Sequence, residues 1–207
     1  MKATLVSQNV HKARELGRLL PGWAIEPIGV AELPEETGAT FYENARAKAL
    51  FGRAVGEPEA WMIGEDSGLE VEGLDGRPGI RSARYAGEGA SDEENTAKLL
   101  VELESVAGGG RRARYVCELV CIAPGLEEYR GTGTLAGRIA AEPRGSAGFG
   151  YDPVFVPEGE ERTVAELGDD WKARRSHRAA AAAALRKAVG LSDRSPRNAP
   201  GPRRRAR

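Results

Sequence analysis

Two long segments of alternating character constrain the fold of this 207-residue chain more than any other feature. Residues 112–123 and residues 127–140 each alternate between apolar or small residues and polar ones, which is the pattern of a β-strand with two different faces. Pro124 and Gly125 lie between the segments, and such a pair is typical of a tight turn. The two segments therefore predict an antiparallel hairpin of two long strands.

The rest of the chain alternates between strand-like and helix-like segments. Short strands are expected at residues 3–7, 24–28, 61–64 and 69–72, the last as an edge strand. Helices are expected at residues 10–20, 41–55, 91–106 and 176–190. Thr40 with Glu43 and Ser91 with Glu94 form capping boxes that open two of these helices. Mixed strands and helices predict an α/β fold with a mixed sheet.

The charge of the chain is divided unevenly, although its net value is only −1. Residues 192–207 contain six arginines, one aspartate and no large apolar residue, so we expect a disordered basic tail. Residues 1–191 carry a net charge of −6 and are expected to form a single domain. An acidic domain argues against nucleic acid as the main partner.

No segment of the sequence predicts a membrane span or a secretion signal. No apolar run approaches the roughly 18–20 residues of a transmembrane helix, and the first dozen residues lack an apolar signal core. Cys117 and Cys121 would be about 13 Å apart in a strand, which is too far for a disulfide. We therefore expect a cytoplasmic protein whose two cysteines are small core residues.

A polar cluster follows the first expected strand and opens the first expected helix. It consists of Ser7, Gln8, Asn9, Val10, His11 and Lys12. Backbone N–H groups at a helix start attract anions and the lysine adds a positive charge, so a phosphate site is one interpretation. An ordinary helix cap with a solvated lysine is the other. No GxxxxGK[ST] sequence occurs, so the cluster is not a Walker loop.

Two acidic pairs form a second cluster, Glu35 with Glu36 and Glu65 with Asp66. Mg²⁺ needs only one or two protein carboxylates, because water and phosphate oxygens complete its coordination. A carboxylate can also orient a water molecule for attack. Solvated surface acids are the alternative, but Glu65 and Asp66 directly follow an expected core strand, which is an unusual way to end one for stability alone.

Two further clusters are candidates for binding a nucleoside. The first is the glycine-rich sequence Gly148-Phe-Gly-Tyr-Asp152, whose glycines flank an aromatic ring that can stack on a base. The second surrounds the start of the last helix, where His177 and Arg178 oppose the helix dipole and Lys172 lies just upstream. Basic residues there favour an anionic or carbonyl-bearing ligand. A tight turn and a solvated basic segment are the alternatives.

Six motifs occur together in a fixed order. They are Ser7-Gln-Asn-Val-His-Lys12, Thr40-Phe-Tyr-Glu-Asn-Ala45, Glu65-Asp-Ser-Gly-Leu69, Pro78-Gly-Ile-Arg-Ser-Ala-Arg-Tyr85, Gly148-Phe-Gly-Tyr-Asp-Pro153 and Ser176-His-Arg178. On these motifs the chain, from about residue 3 to residue 190, resembles the inosine triphosphate pyrophosphatase family, the non-standard purine nucleoside triphosphate pyrophosphatases also called XTP/dITP diphosphatases.

The resemblance implies an elongated α/β fold, with a mixed sheet flanked by helices, that is usually a homodimer. It implies hydrolysis of dITP, ITP and XTP to the monophosphate and pyrophosphate with Mg²⁺, which removes deaminated purines from the nucleotide pool. By the family's pattern Asp66 is the catalytic proton acceptor and a metal ligand. Glu35 is the second metal-linked acid, and the neighbouring Glu36 leaves that register open.

The resemblance also implies the substrate contacts. Residues 7–12 would hold the triphosphate, and Ser67 would contact the substrate. The nucleoside pocket would be formed by Phe149, Gly150, Tyr151, Asp152, Lys172, His177 and Arg178. Lys172 and Arg178 would donate to the 6-oxo group, which hypoxanthine and xanthine have and adenine lacks.

Two positions depart from the family's pattern. Glu65 stands where many bacterial members have Asp, so its carboxylate lies about one bond length further from the backbone. Gln8 stands where Gly or Thr is common, which weakens an interpretation of the phosphate loop that relies on backbone groups alone.

Two other functions fit parts of the sequence. A related nucleotide diphosphatase of the Maf type, acting on modified pyrimidines, is one; the motifs at Glu65 and Ser176 favour the first family. A nucleic-acid-binding module that uses the arginine-rich tail is the other, and the acidic domain argues against it.

Overall fold

The computed structural model describes residues 1–30, 32–106 and 108–190. Its strands are β1 (Lys2–Leu5), β2 (Ala24–Pro27), β3 (Trp61–Val71), β4 (Arg112–Ile122), β5 (Glu128–Ile139) and β6 (Phe155–Pro157). Its α-helices are α1 (Val10–Leu19), α2 (Phe41–Val55), α3 (Asp92–Glu104), α4 (Val164–Leu167), α5 (Asp169–Arg175) and α6 (His177–Ala188). Short 3₁₀ segments cover Glu72–Leu74, Gly79–Arg84 and Gly108–Arg111. The predicted basic tail, residues 192–207, lies outside the described residues.

One mixed sheet joins the strands in the order β2-β1-β3-β4-β5-β6. β1 pairs in parallel with β2 and β3, and the remaining neighbours pair antiparallel. β4 and β5 form the predicted hairpin, in which Arg112 lies opposite Arg138 and Ile122 lies opposite Glu128. The structure thus confirms the predicted α/β fold with a mixed sheet flanked by helices.

Helices α2 and α6 cover opposite faces of the sheet. Ala49 of α2 belongs to a buried cluster with Val120 of β4. Leu185 of α6 belongs to another buried cluster, with Leu119 and Cys121 of the same strand. Since side chains alternate along a strand, the two helices lie on the two sides of β4. Both cysteines are free and buried, as predicted.

Glycines allow both helices to approach the sheet closely. A Cβ atom at Gly64 in β3 would lie 1.9 Å from the carbonyl oxygen of Ala45 in α2. A Cβ atom at Gly133 in β5 would lie 2.0 Å from the carbonyl oxygen of His177, the first residue of α6. Only a residue without a side chain fits at either position. This close packing fixes where α6 begins, and therefore where Arg178 lies.

The prediction for β3 was wrong in two respects. The sequence predicts two strands, at residues 61–64 and 69–72, separated by a polar run. The structure has one strand that passes through Glu65 and Asp66 and pairs with β4 from Met62 to Val71. It lies between β1 and β4 and is not an edge strand. The strand continues because side chains from other elements bind both buried carboxylates, as described below.

Three short elements between residues 153 and 176 were not predicted. They are β6, α4 and α5, and α4 opens with a capping box formed by Thr163 and Glu166. Their brevity explains the omission, because periodicity needs about two turns of helix to be visible. Among the described residues, no helix combines the length and the apolar character that crossing a bilayer requires.

Candidate active site

The candidate site lies where β3 continues past the end of β1. β1 pairs with β3 only as far as Leu5 and Ile63, so the next residues of β3 have no strand beside them on that edge within the described part of the chain. Glu65 and Asp66 lie in this stretch. As neighbours in a strand they point to opposite faces, Asp66 toward α2 and Glu65 toward α1 and α6.

Asp66 is buried within a cluster of side chains from α2. The side-chain amide of Asn44 donates to Asp66 Oδ2 at 3.2 Å, and the Lys48 ammonium donates to Asp66 Oδ1 at 3.2 Å. Lys48 also forms an ion pair with Glu36, and Arg84 donates to the other oxygen of Glu36 at 2.7 Å. Asn44 and Lys48 are four residues apart in α2 and so share one face of the helix. The cluster brings two carboxylates to one ammonium group.

The pKa values of Asp66 and Glu36 are shifted in opposite directions, because neighbouring charges outweigh the effect of burial only at Glu36. Burial raises the pKa of Asp66 above its ordinary value, because removal from water disfavours the charged form; Lys48 offsets this only in part, and the Glu36 charge adds to the rise. Burial alone would also raise the pKa of Glu36, but Lys48 and Arg84 outweigh it, and the pKa of Glu36 is lowered. Asp66 is therefore the better proton acceptor of the two.

The position of Lys48 shows that Glu36 and Asp66 together can hold a cation. Carboxylate oxygens are the hard ligands that Mg²⁺ prefers, and two of them suffice when phosphate and water complete its coordination. No group of three or more His, Cys, Asp and Glu residues suited to a metal occurs in the described part of the chain. The pair therefore fits a Mg²⁺ ion that shares its coordination with a substrate. Glu35 is exposed and makes no contact with this cluster among the described residues.

Glu65 is fully buried on the opposite face, between two cations. Lys12 Nζ of α1 lies 2.6 Å from Glu65 Oε2, and Arg178 Nη2 of α6 donates to Glu65 Oε1 at 2.9 Å. Burial alone would raise the pKa of Glu65, but Lys12 and Arg178 outweigh it, so that its pKa lies well below the ordinary value. Arg178 also donates to Ser67 Oγ at 2.9 Å. Glu65 is thus a charged group that joins α1 to α6.

A second acid, Glu15 of α1, contacts both basic residues of the predicted nucleoside pocket. Lys172 Nζ lies 2.7 Å from Glu15 Oε1 and donates to Asp152 at 2.6 Å. Arg178 donates to Glu15 Oε2. The backbone N–H of Phe149 donates to Asp152 at 2.9 Å, which holds the glycine-rich loop against this group. The predicted residues Lys172 and Arg178 therefore meet at Glu15, which was not predicted from the sequence, and Asp152 joins them through Lys172.

His177 lies buried beside Arg178 and stacks on Tyr115. The two ring centroids are 4.5 Å apart and the rings are inclined by 10°. Burial lowers the pKa of His177 well below its ordinary value, and the positive charges of Arg178 and Lys172 lower it further. His177 is therefore a neutral ring at physiological pH, packed against the sheet.

Phe149 lies at the opening of the site and is contacted by a cation and a second ring. Lys172 Nζ lies 4.1 Å from the centroid of the Phe149 ring, and His11 stacks on the ring at 5.4 Å. Two cavities, of about 160 and 100 Å³, both have Phe149 and Lys172 in their walls. The loop beyond is tied down because the Gly150 N–H donates to Asp92 and the Tyr151 hydroxyl donates to the backbone of Gly79–Arg84.

Asn9 organises the predicted phosphate loop. Its Oδ1 accepts the backbone N–H groups of His11 at 3.0 Å and Lys12 at 3.1 Å, and its own N–H donates to Ser7 Oγ. The cap thus uses two of the first amide groups of α1, and Lys12 supplies the charge of the loop. The side chains of Gln8 and Val10 are exposed.

Most predicted site residues converge on one place. The smaller cavity is lined, among others, by Asn9, Lys12, Ser67, Phe149, Gly150, Tyr151, Asp152, Lys172, His177 and Arg178. Asp66 lies on the other face of β3, and Glu35 lies apart. Four residues of the site were not predicted from the sequence: Glu15, Asn44, Lys48 and Arg84. Asn44 and Lys48 could have been found from the sequence, because they are two polar residues on the apolar face of an expected helix.

Known proteins match this chain along most of its length. The sequence model described as the Ham1 family matches residues 3–188. A protein of Opitutus terrae named dITP/XTP pyrophosphatase is 45% identical over 197 residues, which cover 89% of this chain and 97% of that protein. A Bacillus subtilis protein of the same name is 42% identical over 192 residues, covering 90% and 96%. Among solved structures, a HAM1 protein from Coxiella burnetii superposes with a TM-score of 0.80 at 35% identity, covering 93% of this chain and all of that one.

Proposed function

Because the chain belongs to the Ham1 family, we propose that it hydrolyses the deaminated purine nucleoside triphosphates dITP, ITP and XTP to the monophosphate and pyrophosphate. The names of its relatives from Opitutus terrae and Bacillus subtilis support this substrate class. The observation that carries the proposal is the pair Glu36 and Asp66, which both contact the Lys48 ammonium, on the face of β3 opposite the cavity lined by Lys12, Lys172 and Arg178.

At the phosphate end, Lys12 neutralises charge on the triphosphate. Glu36 and Asp66 would hold Mg²⁺, which would supply further positive charge to the phosphates and to the attacking water. We assign the second carboxylate to Glu36 and not to Glu35, because Glu36 contacts the same ammonium as Asp66 whereas Glu35 is exposed.

The proton of the attacking water is taken by Asp66, the carboxylate that Asn44 and Lys48 hold with one hydrogen bond to each oxygen. The water oxygen forms a bond to the α-phosphorus, the bond from that phosphorus to the bridging oxygen breaks, and pyrophosphate leaves. Asn44 donates to Asp66 Oδ2 and so keeps the carboxylate oriented. This assignment predicts pyrophosphate, and not inorganic phosphate, as the product.

At the base end, Lys172 and Arg178 donate to the 6-oxo group of the purine. Adenine presents an amino group at this position, so that a donor would face a donor and buried groups would be left unpaired. A site that demands such a hydrogen bond rejects the wrong base strongly. Phe149, at the opening, offers an aromatic surface to the base.

A substrate panel tests the proposal. The protein is incubated with dITP, XTP, dGTP, dATP and a modified pyrimidine triphosphate, and products are separated by ion-exchange chromatography. We expect dITP and XTP to yield monophosphate and pyrophosphate, and Asp66→Asn to lose turnover with an unchanged circular dichroism spectrum. Release of inorganic phosphate from dITP, or a preference for the pyrimidine, would refute the proposal.

A matched pair of variants decides which acid joins the metal. Glu36→Gln and Glu35→Gln make the same chemical change at neighbouring positions. We expect Glu36→Gln to require much more Mg²⁺ for half-maximal activity and Glu35→Gln to change that requirement less. The reverse order would return the role to Glu35.

We also propose, from the family resemblance, that the protein is a cytoplasmic homodimer. The two buried free thiols are in keeping with a reducing compartment. Light scattering coupled to size-exclusion chromatography tests the dimer, and a mass of 22.1 kDa in solution would contradict it.

A further inference from the structure

One buried carboxylate connects the two ends of the candidate site. Glu65 contacts Lys12 through one oxygen and Arg178 through the other. Resting on the function proposed above, we propose that Glu65 is a positioning residue that couples phosphate binding at Lys12 to base recognition at Arg178. Its neighbour Asp66 serves the chemistry from the opposite face of the strand.

The geometry makes Glu65 a bridge between separate parts of the fold. Lys12 belongs to α1 and Arg178 to α6, and among the described residues Glu65 is the acid that pairs with both. Glu65 lies in β3, which is paired with β4 along this stretch, so its backbone is fixed. The side chains of Glu65 and Arg178 are 0% and 1% exposed, and that of Lys12 is 16% exposed. Lys12 is therefore the member of the trio that a ligand reaches first.

The charges give the coupling its sign. Two cations share one buried negative charge, where little water screens them. When phosphate oxygens draw Lys12 toward themselves, Lys12 neutralises less of the negative charge of Glu65. Glu65 then attracts Arg178 more strongly. Arg178, fixed through Glu65 and Ser67, then needs less ordering when a base carbonyl arrives. Binding at one end should therefore tighten binding at the other, by the same factor in both directions.

The test uses the two halves of the substrate, inosine and inorganic triphosphate, as separate ligands. Isothermal titration calorimetry measures the Kd of inosine with and without saturating inorganic triphosphate, with Mg²⁺ present throughout. We expect triphosphate to tighten inosine binding to the wild-type protein by about fivefold or more, the lower end of common coupling factors. In Glu65→Gln we expect a factor near one. An undiminished factor in Glu65→Gln would overturn the inference.

Glu15→Gln is the matched control. Glu15 contacts Arg178 and Lys172 but has no contact with Lys12 among the described residues. Its loss should therefore change the affinity for inosine while leaving the coupling factor as in the wild type. A coupling factor that falls equally in Glu15→Gln and Glu65→Gln would show a general loosening of the site, and would also overturn the inference.

A charge-preserving variant covers the case in which Glu65→Gln does not fold. Glu65→Asp keeps the counter-charge for both cations, but its carboxylate is one methylene shorter and cannot keep both contacts of 2.6 and 2.9 Å. We expect it to fold with a reduced coupling factor, and a wild-type factor would contradict the inference. Independent binding of inosine and triphosphate to the wild type would refute the coupling alone, whereas no binding of either would refute the proposed function as well.

Discussion

Gly133→Ala should displace the start of α6 and thereby damage recognition of the base. The new Cβ atom would lie 2.0 Å from the carbonyl oxygen of His177 and 2.3 Å from the backbone nitrogen of Ala181. An ordinary contact begins at 3.4 Å. The first turn of α6 must therefore retreat by about 1.4 Å, the difference between 3.4 and 2.0 Å. Overpacking of this kind costs about 1–3 kcal/mol of stability, which a domain of this size can survive.

The shift of the first turn of α6 is larger than the hydrogen bond between Arg178 and Glu65 can absorb. Arg178 follows His177 directly, and its bond to Glu65 is 2.9 Å long. A shift of more than 1 Å breaks that bond or strains the side chain, and misplacement of about 1 Å can cost about 100-fold in rate. We therefore expect kcat/KM for dITP to fall about 100-fold in a protein that remains folded.

Steady-state kinetics with dITP and urea unfolding at the same temperature measure the two effects together. Gly17→Ala in α1 is the control, because nothing lies within 4 Å of its new Cβ atom; it should gain about 0.5–1 kcal/mol of stability without loss of kcat/KM. If Gly133→Ala shows both wild-type stability and wild-type kcat/KM, the close contact between β5 and α6 does not fix the position of Arg178.

Three further outcomes follow from the structure. Lys48→Met should move the acid limb of the kcat/KM profile to higher pH, because Lys48 lowers the pKa of Asp66; an unmoved limb would contradict the contact. Burial raises the pKa of Cys121 to about 12, from about 9.0 in the unfolded chain. The protonated thiol of Cys121 therefore contributes stability that is fully present below pH 9.0. This stability is lost as the pH rises above that value, by about 1.4 kcal/mol per pH unit. Urea unfolding from pH 8 to pH 11 should show a steeper loss of the free energy of unfolding in the wild type than in Cys121→Ala. The same pH dependence in both proteins would contradict this. Truncation after residue 191 should leave dITP hydrolysis unchanged, and loss of turnover would show that the arginine-rich segment takes part.

The hairpin was predictable from the sequence and the continuity of β3 was not. In β5, and on one face of β4, the residues keep one character along the strand, so local alternation contains the information. In β3 the polar residues at Glu65 and Asp66 break that pattern. Their burial is possible because Lys12, Arg178 and Lys48 bind them, and those residues come from three different helices. A local pattern cannot show such partners.

The candidate site was predictable to a similar extent. His177 and Arg178 were identified because basic residues in the first turn of a helix are locally unfavourable, which is a visible signal. Glu15 occupies an ordinary position within α1, where a charged residue normally faces solvent, and Lys48 differs only in lying on the apolar face of α2. Their roles arise only when α1 and α2 are placed against the sheet. Whether Glu35 or Glu36 points inward depends on the path of a loop, which composition does not determine.

The alternation of side chains in β3 also limits how this segment can vary. Substitutions at Trp61 or Met62 change packing, but every later residue of the strand still points to the same face of the sheet. A single inserted residue reverses it from that point on. The proton acceptor would then face the arginine, and the counter-ion of the arginine would face α2. Outside Gly64 and the two carboxylates, the strand should therefore accept changes of residue type, but no insertion or deletion of a single residue between Ile63 and Glu65.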